Sequence, residues 1–234
     1  MDLVAVIPAR SKSKRFKKKN ISLLNNKPLL LHSIKFAKKL KFVKKIIFSS
    51  DSEEYIKIIK NISNITIHKR TNKASSSKAM EEDILIDMKR DFKNRKIDFP
   101  KYILWLRPTH PLRCIKTFNK AFYKFKKYKD SVLVVHKSES RLYKSNGHML
   151  SPINSKLKNR SMIRSQDCKP LYSIFSGEFF YLKRKINKNF LGNKKRFVIA
   201  PKLTNFDIDN FDDLEILNRL IKSSRNIYKK YIHV

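Results

Sequence analysis

A doubly wound, mostly parallel α/β sheet with helices on both faces is the fold class this sequence predicts, and three observations predict it. The chain opens with an unbroken apolar run at residues 3–7, as a strand buried on both faces does. Further short runs rich in Ile, Val and Leu alternate with segments whose apolar residues recur at helical spacing. With 234 residues and 41% hydrophobic content, the chain has the means to bury one such core.

Taken in order, the first strand is expected to stop at Pro8, which has no N–H for a sheet ladder, and to lead into a basic loop that ends near Ile21. Residues 28–40 carry apolar side chains near helical spacing behind a proline suited to a helix start. A strand at 45–49 runs into Ser50-Asp51-Ser52-Glu53-Glu54, a helix-start signal that places a helix at 52–60. A third strand, 65–68, precedes a helix at about 78–93 whose Met80, Ile84, Leu85, Met88 and Phe92 form one packing face. The fourth strand, 102–106, feeds a turn made rigid by Pro108 and Pro111, then a helix at 115–128 and a strand at 131–135. There the alternation stops. From 138 to about 175 neither period is strong, and Asn146-Gly147 signals a hairpin. A helix at 211–222 ends the series, so the whole of 1–234 reads as a single Rossmann-like domain with an excursion at about 138–175.

Composition excludes several classes. No stretch is apolar for eighteen residues and the amino terminus enters a strand directly, so neither a membrane span nor a signal peptide is expected, and the location expected is cytoplasmic. Cys114 and Cys168 lack the C-x-x-C spacing of a redox or metal site, and the six histidines are scattered without ligand spacing, which argues against zinc. The formal charge of +36 is the footprint of a nucleic-acid binder. Its 55 Lys and Arg residues are nevertheless spread through nearly every segment, as solvated surface would be. Nucleic acid therefore stays as a rival partner, ranked below small anions.

The chemistry concentrates at two places. In open α/β sheets ligands bind at the carboxyl ends of strands, and the loop after the first strand sets Arg10, Lys12, Lys14, Arg15, Lys17, Lys18 and Lys19 there. Clustered cations beside loop N–H groups suit a polyphosphate. Near the other end, Asp207 and Asp209 occupy alternate positions of an extended segment, a spacing that lets two carboxylates share a hard cation. The competing use of that segment is a helix cap, with Asp209 or Asn210 capping and Asp212 and Asp213 complementing the dipole.

The order of these residues resembles a known family. IPARSKSKRFKKKNI at 7–21 is similar to the opening IPARGGSKGIPRKNI of the acylneuraminate cytidylyltransferases, which make CMP-sialic acid and the CMP forms of pseudaminic and legionaminic acid. SSDSEE at 49–54 resembles their STDSEE-like segment, RPTHPLR at 107–113 their QPTSPLR turn, and DID at 207–209 their I-D-I-D-x-x-x-D-L segment. RSQD at 164–167 and YSIFSGEFFY at 172–181 resemble, more loosely, RQDLP and Y-x-x-N-G-A-I-Y. The resemblance implies transfer of CMP from CTP to a nine-carbon sugar acid with release of pyrophosphate, in a homodimer whose excursion covers the partner's sugar site. It implies nucleotide contacts at Arg10, Ser13, Lys14, Lys19, Asn20 and Arg70, and substrate contacts at Arg107, Thr109, Arg164 and Gln166. Mg²⁺ would be held by Asp207 and Asp209, which with Arg10 and Lys14 would form the catalytic set. Four departures stand out: Ser11 and Lys12 replace two glycines, Arg107 a glutamine, Ser176 an asparagine, and Ile174 an arginine. A catalytically idle relative kept for binding and a 3-deoxy-manno-octulosonate cytidylyltransferase are the alternative readings.

Overall fold

The computed structural model describes residues 1–13, 15–153, 162–182 and 186–233. Along the chain lie β1 (Leu3–Ala9), β2 (Leu23–Leu24), β3 (Lys27–Pro28), α1 (Leu29–Lys39), β4 (Val43–Ser50), α2 (Glu53–Ile59) and β5 (Ile65–Lys69). Next come α3 (Asn72–Ser75), α4 (Glu81–Asn94), β6 (Tyr102–Trp105), α5 (Ile115–Tyr128), β7 (Ser131–Ser138), β8 (Tyr143–Asn146) and β9 (Met149–Pro152). β10 (Leu171–Tyr181), β11 (Lys195–Ile199), α6 (Phe211–Ser223) and α7 (Arg225–Tyr228) complete the order. Seven strands form one sheet in the order β11-β7-β10-β6-β1-β4-β5, parallel at every pairing except those of β10.

The alternation of a strand's side chains shows how β1 builds two cores at once. Leu3, Ala5, Ile7 and Ala9 face α1, α2 and α5, where Ile34, Phe36, Tyr55, Ile59, Phe118 and Phe125 are buried. Val4 and Val6 face α4, meeting Leu85, Met88 and Phe92 with Trp105 of β6. A third cluster, Leu214, Leu217 and Ile221 of α6 against Leu24, Leu29, Leu112 and Ile208, holds the last long helix beside the strand ends.

The first strand does not stop at Pro8. It continues to Ala9, with Pro8 paired to Ser49 of β4. Leu106 N donates to Val6 O at 2.9 Å, so Val6 faces β6 and Pro8, two residues on, faces the same way. β6 has ended there, at Trp105, so the missing N–H breaks no ladder. Besides the short β2–β3 pair, two strands of the main sheet lay outside the sequence expectation. β11 is an exposed edge strand, and β10 runs against its neighbours with a register shift between Ser173 and Gly177. That bulge sets Phe175 at φ 86, a left-handed backbone that a bulky residue rarely adopts. The expected hairpin is present, with Asn146 opposite Met149, which puts Gly147 and His148 in the turn and Gly147 at φ 62. Lys18, Asn25, Asn26, Asn64, Lys96 and Lys129 also take left-handed backbones, at turns where glycine is the usual residue.

Five histidines are packed inside. His32 meets Leu24 O at 3.0 Å, His136 meets Thr204 Oγ1 at 2.9 Å and His233 meets Arg113 O at 2.8 Å. Burial lowers His32, His68, His136 and His233 to about 4 and His110 to about 3. The unfolded chain, with histidines near 6.5, binds more protons than the folded one as pH drops from 6.5 toward 4. Stability is therefore intact above pH 6.5 and is lost as pH falls through this window, by up to about 3 kcal/mol for each histidine. Two or three such groups match the whole stability of an ordinary domain, so the midpoint of urea unfolding should fall steeply between pH 6 and pH 4.

Gly177 tests the packing under the bulge. A Cβ there would lie 2.6 Å from Phe118 Cε1, and Phe118 is wedged edge-on against Phe36 at 4.7 Å between ring centroids. Gly177→Ala should cost about 1–3 kcal/mol in denaturant unfolding, the range expected for an overpacked core.

Candidate active site

Four parallel strands deliver their carboxyl ends to one edge: β1 brings Arg10, β4 Asp51, β5 Arg70 and β6 Arg107. The loop after β1 is tied down at three points. Ser11 donates to Asp51 through its N–H at 2.8 Å and its hydroxyl at 2.7 Å. Asn20, nearly fully buried, donates Nδ2 to Arg10 O at 2.9 Å, and Arg10 Nη1 reaches Ser76 O at 2.8 Å. Ser11 and Lys12 are not among the left-handed residues, so losing the two glycines strains no backbone here. Ser11 turns the change into an anchor on Asp51.

The loop meets the far end of the chain. Lys19 Nζ donates to Ile208 O at 2.8 Å and to Asp209 Oδ1 at 3.2 Å, and Arg15 Nη2 lies 3.1 Å from the same oxygen. Ile208 N donates to Thr109 O at 2.9 Å, which fastens the acidic segment to the turn after β6. The helix cap belongs to other residues of the segment. Asn210 accepts from Asp213 N, and Asp213 Oδ2 accepts from the N–H groups of Asp209 and Asn210. Both candidate metal ligands are thus left free of capping.

Asp207 stands beside Thr109 and His110, with His110 Nδ1 3.4 Å from its Oδ1. Burial, together with the nearby Asp209 charge, holds its pKa above the usual carboxylate value against the pull of the Thr109 hydroxyl. With burial keeping His110 neutral, no lysine or arginine among the described residues forms an ion pair with Asp207. Two carboxylates, with a hydroxyl alongside, make an all-oxygen donor set that fits Mg²⁺. That ion commonly takes one or two protein carboxylates and completes its shell with phosphates and water. Among the described residues no group of three or more His, Cys, Asp or Glu that could hold a metal ion occurs, so the protein's donors here number two carboxylates and a hydroxyl.

Arg70 is buried and carries its own support. Nε donates to Ser49 Oγ at 2.9 Å and Nη2 to Ser49 O at 3.0 Å. Ser49 Oγ meets His68 Nδ1 at 3.0 Å, and His68 Nε2 lies 3.3 Å from Asp87 Oδ2, which also accepts from Thr71 N. Burial lowers Arg70 to about 10, which leaves it charged at neutral pH. Arg113 is fully buried, bonded to Ser176 O, Ser33 Oγ and Arg107 O, and serves the fold.

Two clefts, of about 250 and about 320 Å³, meet along a wall shared by Arg10, Ser13 and Lys19. Arg70, Arg107 and Thr109 line the first and Asp209 the second. The edge therefore gathers Arg10, Ser13, Lys19, Asn20, Arg70, Arg107, Thr109, Asp207 and Asp209 in one region. A larger groove of about 550 Å³ opens between the Asn25–Asn26 turn and α6; it lies off the strand ends, and its Arg219 is already paired with Glu215. Lys14 lies outside the described residues. Arg164 and Gln166 sit on an exposed 3-10 turn, where Arg164 pairs with Asp167 at 2.8 Å, and they do not join the clefts. Sequence reading missed Asp51, His110, Glu81 and Glu178. Asp51 had a signal in the SSDSEE segment, whereas Glu81 and Glu178 reach Arg107 only through the fold.

Comparison with known proteins gives the family. A Helicobacter pylori protein named pseudaminic acid cytidylyltransferase and UDP-2,4-diacetamido-2,4,6-trideoxy-beta-L-altropyranose hydrolase is 27% identical over 176 residues, 74% of this chain. The match spans about a third of that longer protein's length, 33%. CMP-N,N'-diacetyllegionaminic acid synthase of Legionella pneumophila is 25% identical, with 95% of this chain and 97% of that one covered. The solved structure of a CMP:2-keto-3-deoxy-manno-octonic acid synthetase complexed with CTP shares the fold at a TM-score of 0.63 and 12% identity, covering 95% of this chain and 99% of that one. The family model described as cytidylyltransferase matches residues 4–227, nearly the whole chain and every strand-end residue gathered here, and the chain belongs to that family.

Proposed function

We propose that this chain transfers CMP from CTP to the anomeric hydroxyl of a nine-carbon 2-keto sugar acid of the sialic, legionaminic or pseudaminic type, releasing pyrophosphate. The observation that carries the reading is the meeting of Lys19 with Ile208 O and Asp209, which sets a cationic loop against a pair of carboxylates at the strand ends. Phosphates need the first and a divalent cation the second. The names of the Helicobacter and Legionella relatives support the class of acceptor.

In this reading Arg10 and Lys19 neutralise the triphosphate along the wall common to both clefts, and Arg70 sets the nucleotide against it. The sugar hydroxyl attacks the α-phosphorus in line with the departing pyrophosphate, whose charge the same cations stabilise. Asp207 and Asp209 would hold Mg²⁺. When bound, that ion supplies charge withdrawal from the reacting phosphate and lowers the pKa of the attacking hydroxyl. His110 is a poor proton acceptor, because burial takes it to about 3. Its part is to pack beside Asp207 and fix that carboxylate's orientation.

The working unit in this proposal is a homodimer in the cytoplasm. Tyr143, Met149, Leu150 and Phe175 are exposed on the β8–β9 hairpin and the first half of β10, apolar surface that a second copy would cover. Free Cys114 and Cys168 suit a reducing compartment, and no helix among the described residues is long and apolar enough to cross a membrane.

Pyrophosphate release with CTP, Mg²⁺ and a panel of sialic, legionaminic, pseudaminic and octulosonic acids should occur with at least one nine-carbon acid; silence with all of them would sink the reading. Asp207→Asn should lower kcat by about 10²–10³ with little change in melting temperature, the loss expected when one charge-stabilising group is removed. EDTA should abolish turnover and added Mg²⁺ restore it, measured by the same release assay.

A further inference from the structure

Arg107 is occupied on three sides by groups of its own chain. Nη1 donates to Glu178 Oε2 at 2.8 Å, Nη2 donates to Glu81 Oε1 at 2.7 Å, and the Phe175 ring lies 4.4 Å from the guanidinium carbon. The two carboxylates are not equivalent. Glu178 sits opposite Trp105 in the β6–β10 pairing, is nearly fully buried, and its Oε1 has no hydrogen-bond partner. Parting it from Arg107 would leave a bare buried charge, so this contact is fixed. Glu81 is the first residue of α4, lines the cleft, and has a side chain 27% exposed. Turned outward, it would meet water and still stand in the first turn of α4, where the helix dipole favours a carboxylate.

Charge then decides what Arg107 does. The charges of Arg113 and Arg70 also act on Glu178 and Glu81, so the site as a whole is not anionic; what meets an arriving acid is that Glu81 already holds Nη2 and must give it up. An acid that takes the position of Glu81 restores the same two charge-assisted contacts with no change in local charge. A neutral hydroxyl offers Nη2 a weaker bond than the carboxylate it would displace. We infer that Glu81 is an internal stand-in for the substrate's carboxylate, a specificity residue that yields to sugar acids and not to neutral sugars, with Glu178 and Phe175 positioning Arg107 for the exchange. The left-handed φ of Phe175 at the β10 bulge is the kind of local strain that persists where surrounding structure fixes a side chain for use. The inference rests on the sugar-acid reading above.

The test compares Glu81→Gln with wild type in steady-state kinetics. Removing the competing charge should lower KM for the sugar acid by about three- to tenfold, the scale of one modest ion pair, while KM for CTP moves by less than about twofold. Glu81→Asp, too short to span to Nη2, should shift KM the same way. Glu178→Gln should shift it oppositely, because Arg107 loses its anchor. Melting temperatures of the three variants confirm folding. A KM for the acid that stays level or rises in both Glu81 variants, with wild type active, overturns the inference alone. Wild type that turns over no acid overturns the sugar-acid reading and the inference with it.

Discussion

Lys19 is the contact on which the site depends. It comes from a loop that follows the first strand, and it binds a carbonyl and a carboxylate nearly two hundred residues later. Because its side chain is mostly buried while Arg15 beside it is exposed, Lys19 is the stronger half of the clamp on Asp209. A half-screened ion pair on the surface contributes little, whereas one that also satisfies a backbone carbonyl fixes geometry. With the two chain ends joined, the strand-end loops between them have a common floor.

The sheet makes that floor possible. A parallel strand needs helices on both faces, and β1 meets the need by sending alternate residues into opposite cores. Its last residues are then free of neighbours on the β6 side, which is why Pro8 is harmless and why the loop begins in open space above β6. Buried polar groups carry the arrangement outward: Ser50 Oγ bonds Ala9 O, Ser49 carries Arg70, and Asp87 holds Thr71 on two oxygens. These contacts fix the cationic side chains in place, which suits a site that must hold cations still before any anion arrives.

What could be read from the sequence was what is local. Strand and helix periods, the Ser52 cap, the hairpin and the basic loop all depend on residues near one another, and they stand close to where expected, although Met80 lies exposed ahead of α4 instead of on its packing face. The reversed β10 was not legible as a strand partner of β6 and β7, since its Ser and Gly residues break the period at a bulge and direction leaves no mark in composition. Asp207 and Asp209 could not be told from cap residues until Asn210 and Asp213 were seen to do the capping. Arg107 could be picked out in the sequence as a cation at a strand's carboxyl end, but its two carboxylate partners lie 26 and 71 residues away. Only the fold brings them to it.

The left-handed turns have a further meaning for a chain with three glycines. Lysine at φ 54 to 56 in three places, and asparagine in three more, put side chains where a bare α-carbon would sit without crowding. Each lysine gives up about 1 kcal/mol to that crowding, and asparagine less. Lys18 adjoins Lys19 in the basic loop, but Lys96 and Lys129 stand away from the strand-end site: exchanging those two lysines for glycine is a route to a hardier protein that its own sequence has left unused.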